Sequence, residues 1–422
     1  MINRTTEFTE FFNTAMRPLK RQIAGPKIGL AVSGGGDSMA LLHSMNEWVK
    51  ENGCEISVAT VNHGLRSEAH AETQMVQRAC KRMGIPCTTL MWTGWDEVGN
   101  LQNAARQARI SLINAWAKEN AIHAVATGHT ADDQAETFLL RLARGSGVDG
   151  LSGMATMRVR DGMQWFRPLL TFRRAELRQF LKSKRVKWVD DPSNDDESFD
   201  RIKMRKAQSA LDDLGLTVDR LVETATRMST ARRALERLTK ENASSVVTPT
   251  KYGSVKIDIE AFKNLPLELR YRLFAHALKW VSGSHYRPRF DALLESAAKL
   301  SNGQDHTLLG CHIISDGKIG EVCREVSKIE NNIDLQNLFD GRWELSGGEL
   351  SDDMIIARLG EDGLPQCDGW RELDASRVSL MGTPAIWKND TLICAPMVTP
   401  DPMWQCHLIK DHHDFFTSVV TH

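Results

Sequence analysis

Between residues 27 and 129 the chain switches repeatedly between two hydrophobic periods. Residues 27–32, KIGLAV, are a short apolar run that ends in a glycine cluster; residues 38–50 then repeat apolar positions at helical spacing, with Leu41, Leu42, Met45 and Val49 on one face. Residues 55–62 (EISVATVN) read as a second strand, 68–83 as a helix stopped by Gly84, and 86–92 as a third strand. Residues 101–118 are helical, with Leu101, Ala105, Ala108, Leu112 and Ala115 spaced for one buried face, and 123–127 form a fourth strand that runs into the loop and helix of GHTADDQAETFLLRLARGSG. Strands alternating with helices predict an α/β fold: an open, mostly parallel sheet with helices on both faces. In such sheets ligands sit at the carboxyl ends of the strands, which is where the unusual polar residues of this stretch fall.

The pattern then changes. An acidic, turn-rich stretch at 190–196 (DDPSNDD) closes the first unit. Helical period from about 201 to 240 opens a second, helical unit. A polar stretch at 327–337 precedes a segment with Trp343, Trp370, Trp387, repeated Gly and Pro, and short alternating runs such as 391–394, which reads as a small strand-rich domain. The expected domains are 1–205, 206–330 and 331–422.

Apolar residues make up 41% and charged residues 25% of the 422, a balance that excludes wholesale disorder, collagen and coiled coil. No window approaches 18 uninterrupted apolar residues, so no membrane span is expected, and the first 25 residues lack the pattern of a secretory signal. Eight cysteines without a C-x-x-C pair argue against a zinc knuckle, an iron–sulfur site or a disulfide framework; a reduced, cytoplasmic chain is expected. The net charge of −1 hides an asymmetry. Residues 141–187 hold twelve Lys or Arg against three acids, whereas 330–422 hold six against sixteen. The first of these segments suits a phosphate backbone.

The sharpest chemical signal is Ser33-Gly34-Gly35-Gly36-Asp37-Ser38 at the junction of the first strand and its helix. Consecutive glycines let backbone N–H groups approach an anion, the helix N-terminus adds a positive dipole end, and the two serines offer hydroxyls. Asp37 beside phosphates implies an intervening Mg²⁺. The G-K-[ST] of a Walker loop is absent. In ADDQAET, Asp132 and Glu136 are four apart, as are Asp133 and Thr137, so like charges share one helical turn unless a cation, an ammonium or a metal, sits between them. His63 and His129 follow strands; Arg66, Arg106 and Arg109 suit anion recognition, and Arg141 and Arg144 follow the acids by whole turns.

The glycine loop resembles the pyrophosphate loop of the N-type ATP pyrophosphatases (PP-loop superfamily), which cleave ATP to AMP and pyrophosphate and adenylate an oxygen of their substrate. Later motifs narrow this: residues 61–66 (VNHGLR), 105–109 (ARQAR), 128–137 (GHTADDQAET), 167–170 (RPLL) and 191–194 (DPSN) are, in order and spacing, similar to the tRNA(Ile)-lysidine synthase family. The likeness is strong over residues 25–205 and weak beyond. It implies an adenine nucleotide alpha hydrolase-like fold and ATP-dependent ligation of free L-lysine to C2 of the wobble cytidine in a CAU-anticodon isoleucine tRNA, with ATP and Mg²⁺ as cofactors. The modification proceeds through an adenylated cytidine, releases AMP and pyrophosphate, and converts codon specificity from AUG to AUA.

Carried onto this chain, the resemblance makes Asp37, Asp132, Asp133 and Glu136 catalytic, with Asp132 as the base and Asp37 and Asp133 as metal ligands. Ser33, Gly34, Gly35, Gly36, Asp37, Ser38, His63, Arg66, Gly128 and His129 would bind ATP. Arg106, Arg109, Arg141, Arg144, Arg167, Arg201 and Arg205 would bind tRNA. A homodimer is allowed for. Ile202, Ile110 and Gln102 depart from the family's usual Asn, Tyr and Glu. The rival readings are a PP-loop thiolase of tRNA, for which Cys54, Cys80 and Cys87 lack ligand spacing, and an RNA-binding protein with a relic ATP site, which would not need Asp37, Ser38 and Asp132.

Overall fold

The computed structural model describes the chain apart from residues 1–3, 63, 65–67, 93–100, 191–199, 285, 331–334, 349, 352, 411 and 420–422. It divides into two compact units, residues 1–232 and 233–422.

In the first unit, α1 (Arg4–Lys20) precedes β1 (Lys27–Ala31), α2 (Gly36–Asn52), β2 (Glu55–Asn62), α3 (Glu68–Met83), β3 (Cys87–Met91), α4 (Leu101–Glu119), β4 (Ala124–Thr127) and α5 (Ala131–Ala143). Then come α6 (Val148–Leu151), β5 (Met157–Arg160), β6 (Met163–Phe166), α7 (Arg174–Ser183), α8 (Asp200–Asp213) and α9 (Val218–Ala243), which continues into the second unit. The sheet order is β3-β2-β1-β4-β6-β5, parallel except for the edge strand β5. Strands buried on both faces read as continuous apolar runs rather than alternating ones, and Ile28, Gly29 and Leu30 of β1 behave so. One face packs Ile28, Leu30, Phe166 and the aromatic faces of α1 and α7, with Phe8 stacked on Phe180 at 4.2 Å. The other packs Ile113, Trp116 and Val125.

β1 pairs with β2 on one side and β4 on the other, so the strand order reverses at β1 and opens a crevice between the chain segments that leave β1 and β4. Those segments are the glycine loop and GHTADD. The first turn of α5 is secured locally: Thr130 caps it, accepting from the Asp133 N–H at 3.3 Å, while Asp133 Oδ2 accepts from the Thr130 N–H at 2.8 Å.

The second unit is built from β7 (Val247–Pro249), β8 (Val255–Asp258), α10 (Ile259–Asn264), α11 (Leu267–Ser282), α12 (Phe290–Ser301), β9 (His306–Leu308), β10 (Cys311–Ser315) and β11 (Ile319–Arg324). Its antiparallel sheet, β7-β8-β11-β10-β9, packs Val255, Ile257, Ile313 and Val322 against α11. These strands correct the expectation of a purely helical unit over residues 206–330: the helical period that suggested it belongs to α8 and α9, and the segment after them returns to strands. Strands β12 (Trp343–Gly347) and β13 (Met354–Arg358) come next, then helices α13 (Gly360–Gly363) and α14 (Arg377–Met381). Strands β14 (Pro384–Lys388), β15 (Thr391–Cys394) and β16 (Trp404–Leu408) and helix α15 (His412–Ser418) complete the strand-rich end, where β12 pairs with β16 and β13-β14-β15 form a second small sheet. Among the described residues no helix is long and apolar enough to cross a membrane.

Candidate active site: a glycine loop, four carboxylates and a wall of arginines

The glycine loop is held open by its own side chains. Ser38 Oγ accepts from the backbone N–H groups of Ser33 and Gly34, each at 3.2 Å, and donates to the Gly35 carbonyl at 2.9 Å. Its single proton therefore shapes the loop, and Ser33 Oγ, 3.3 Å from Ser38 Oγ, is left to donate to it. Gly34 has φ +95°, a conformation that L side chains rarely adopt. From outside, the Val189 N–H donates to the Gly34 carbonyl at 3.1 Å.

Gly128 serves a different purpose. A Cβ there would lie 2.9 Å from the Asp37 carbonyl oxygen and 3.1 Å from Ser38 Cα, so glycine lets the end of β4 touch the first turn of α2. His129 turns its Nδ1 to Thr127 Oγ1 at 2.8 Å.

The repelling carboxylates of ADDQAET do surround a cation, and it belongs to the protein. Arg174, the first residue of α7, places Nε 3.1 Å from Asp37 Oδ2, Nη2 3.1 Å from Asp133 Oδ1 and Nη1 3.6 Å from Glu136 Oε1. Its backbone N–H donates to Asp132 Oδ2 at 2.7 Å. Arg205 reaches Glu136 from α8, Nε to Oε1 at 2.5 Å, and Arg173 Nε lies 3.8 Å from Asp132. Burial pushes the Asp37 carboxyl above its ordinary value, against the opposing pull of Arg174. Burial disfavours the Arg174 charge, but Asp133, Asp37 and Glu136 outweigh it and raise its pKa.

Loop and cluster open into one cavity of about 940 Å³. Of the ATP-binding expectation, Ser33, Gly35, Gly36, Asp37, Ser38, Gly128 and His129 line it, Gly34 does not, and His63 and Arg66 lie outside the described residues. Of the tRNA expectation, Arg106, Arg109, Arg167 and Arg205 line it. Arg141 does not; its Nη1 donates to the carbonyls of Gly150 and Gly153 at 2.8 and 2.9 Å, which makes it a brace for the turn after α5. Arg144 is exposed, also away from the cavity, and the side chain of Arg201 lies outside the described residues. Asp133 lines the cavity, whereas Asp132 faces the start of α7.

Arg174 was missed from sequence, as were Arg158 and Arg160, which also line the cavity. For the last two a signal was present. Asp161-Gly162, flanked by alternating residues, is a strong hairpin signature, and both residues have positive φ, +52° and +76°. Counting the segment only as a basic surface concealed it.

A PP-loop domain model matches residues 4–209. The tRNA(Ile)-lysidine synthase of Ruegeria pomeroyi is 40% identical over 94% of this chain and 94% of its own length. That of Wolbachia pipientis wMel is 37% identical over 72% of each chain, and that of Rhodopseudomonas palustris 40% identical over 60% of this chain and 75% of its own. The likeness therefore runs well past the nucleotide-binding sheet into the second unit, and the chain belongs to the tRNA(Ile)-lysidine synthase family, ATP-dependent ligases built on a PP-loop domain.

Proposed function

We propose that the chain joins the ε-amine of free L-lysine to C2 of the wobble cytidine in a CAU-anticodon isoleucine tRNA, in the cytoplasm, through an adenylated cytidine and with release of AMP and pyrophosphate. The observation that carries this reading is that the anion-binding glycine loop and two of the carboxylates, Asp37 and Asp133, share one cavity, whose volume of about 940 Å³ lies at the upper end of the range for ligand sites. Two half-reactions need such a shared space.

In the first, cytidine O2 attacks the α-phosphate in line and pyrophosphate leaves. Loop N–H groups and the α2 N-terminus neutralise the developing charge, the term that usually dominates phosphoryl and nucleotidyl transfer. In the second, lysine needs its amine uncharged although an unperturbed lysine has a pKa of about 10.4. Asp133, which lines the cavity, is the carboxylate placed to hold the ammonium and take its proton, with Asp132 and Glu136 behind it, held by the Arg174 N–H and by Arg174 and Arg205; AMP leaves from C2.

Asp37 and Asp133 carry the hard oxygens that Mg²⁺ prefers, but Asp37 Oδ2 and Asp133 Oδ1 both converge on the Arg174 guanidinium, and the described residues hold no group of three or more metal ligands; an ion held by these two carboxylates would take the rest of its shell from phosphate oxygens and water. When bound, it neutralises polyphosphate charge. The thiolase reading is weakened because no cysteine lines the cavity.

The test is incubation of the purified chain with ATP, Mg²⁺, radiolabelled lysine and the CAU-anticodon tRNA. The expected result is ATP-dependent label on RNA that survives mild alkali and disappears in Asp37→Asn. Pyrophosphate release without label on RNA would overturn the lysine assignment.

A further inference from the structure

The β5–β6 hairpin turns one face to the cavity. Arg158 pairs with Trp165 and Arg160 with Met163 across the ladder, and the Arg167 N–H donates to the Thr156 carbonyl at 2.8 Å just beyond it. Cross-strand partners share a sheet face, so Arg158, Arg160, Trp165 and Arg167 stand together, and all four line the cavity.

Their engagement differs. Arg160 donates to Gln107 Oε1 and lies 3.5 Å from Asp161. Arg167 donates from Nη1 to the Ala155 carbonyl at 2.8 Å, while its buried Nε has no partner. Among the described residues no carboxylate pairs with Arg158 or Arg167. Burial, then the charges of Arg158 and Arg106, push Arg167 down to about 10. Arg158 and Arg167, like charges side by side with no carboxylate between them among the described residues, suit an anion.

The glycine loop leaves β1, and the order β1-β4-β6-β5 puts three strand spacings, about 14 Å, between it and the hairpin edge. Arg158, on β5, stands at that outer edge, and Arg167, just past β6, is one spacing nearer. We infer that Arg158, Arg167 and Arg106 form a phosphodiester site for the RNA strand that delivers the target base, separate from the glycine loop. The inference rests on the proposed function, because that reading puts a single-stranded RNA segment in this cavity.

The test uses the full chain, a fluorescent CAU anticodon stem-loop titrated over a range of salt, and a fluorescent ATP analogue. Arg158→Gln is expected to weaken stem-loop binding about tenfold or more, to lower the slope of log affinity against log salt by about 0.7, and to leave ATP-analogue affinity within about twofold. Arg158→Lys keeps the slope. Arg160→Gln, whose guanidinium is already engaged, is expected to weaken binding less than Arg158→Gln. Equal stem-loop binding by Arg158→Gln and parent would overturn the site, and equal losses for stem-loop and ATP analogue would assign these guanidiniums to the polyphosphate instead. Arg158-dependent binding without lysine incorporation would refute the proposed function and leave the site standing; incorporation with Arg158-independent binding would do the reverse.

Discussion

Replacing Arg174 by leucine removes the cation around which Asp37, Asp133 and Glu136 are arranged at 3.1, 3.1 and 3.6 Å. At an effective dielectric of about 20, one pair near 4 Å attracts by roughly 4 kcal/mol. Three such terms do not add, because the guanidinium and the carboxylates gave up hydration to meet. Arg174 is only 19% exposed and Glu136 7%, so deleting the cation strands charge in a low-dielectric site, a class of change that costs about 3–5 kcal/mol. Arg205 remains on Glu136 and keeps the loss toward the lower end. For a unit of 232 residues, at roughly 2–4 °C per kcal/mol, the melting temperature should fall by about 6–20 °C. The assay is calorimetry at pH 7.5. Adding Asp133→Asn removes one stranded charge while retaining an acceptor for the Thr130 cap, so the double variant should recover about 1–2 kcal/mol. A shift below 2 °C for the single variant, or strict additivity in the pair, would refute the argument that Arg174 neutralises this cluster.

Two further outcomes are expected. Gly128→Ala drives a Cβ to 2.9 Å from the Asp37 carbonyl oxygen, a backbone atom that cannot rotate away. It should destabilise the first unit by about 1–3 kcal/mol and lower ATP-dependent pyrophosphate release about tenfold; release within twofold of the parent would show that the contact does not position Asp37. His43, on α2, is pushed from 6.5 down to about 4 by burial and then by Lys184 and Arg82, with Glu47 opposing. Between those values the unfolded chain binds a proton that the folded one refuses, so this contribution is present above pH 6.5 and is lost as pH falls toward 4, by about 2 kcal/mol after allowance for partial exposure. His43→Gln should therefore lose less of its urea midpoint between pH 7.5 and 4.5 than the parent; parallel losses would remove His43 as the cause.

Much of this protein was determined locally and could be read along the chain. Helical and strand periods gave α2 to α5 and β1 to β4 because residues close in sequence share a buried face. The glycine loop was legible for the same reason, since it closes within six residues; the Thr130–Asp133 cap closes within four and was not drawn from the sequence. The Asp161-Gly162 turn was equally legible, though it was passed over. What the periodicity could not supply was which strands lie side by side, because hydrogen-bonded neighbours such as β1 and β4 are separated by two strands and three helices in sequence. The acidic motif called for a cation without naming it. Its source, Arg174, is 137 residues from Asp37 and 41 from Asp133, and only the docking of α7 beside the strand ends brings them together. Arg205, expected from the resemblance to bind tRNA, is laid on Glu136 by α8, a partner the sequence did not name. Propensity and capping act over a few residues and can be read from the chain. Charge compensation in a buried site depends on distance in space, and here tertiary packing decided it.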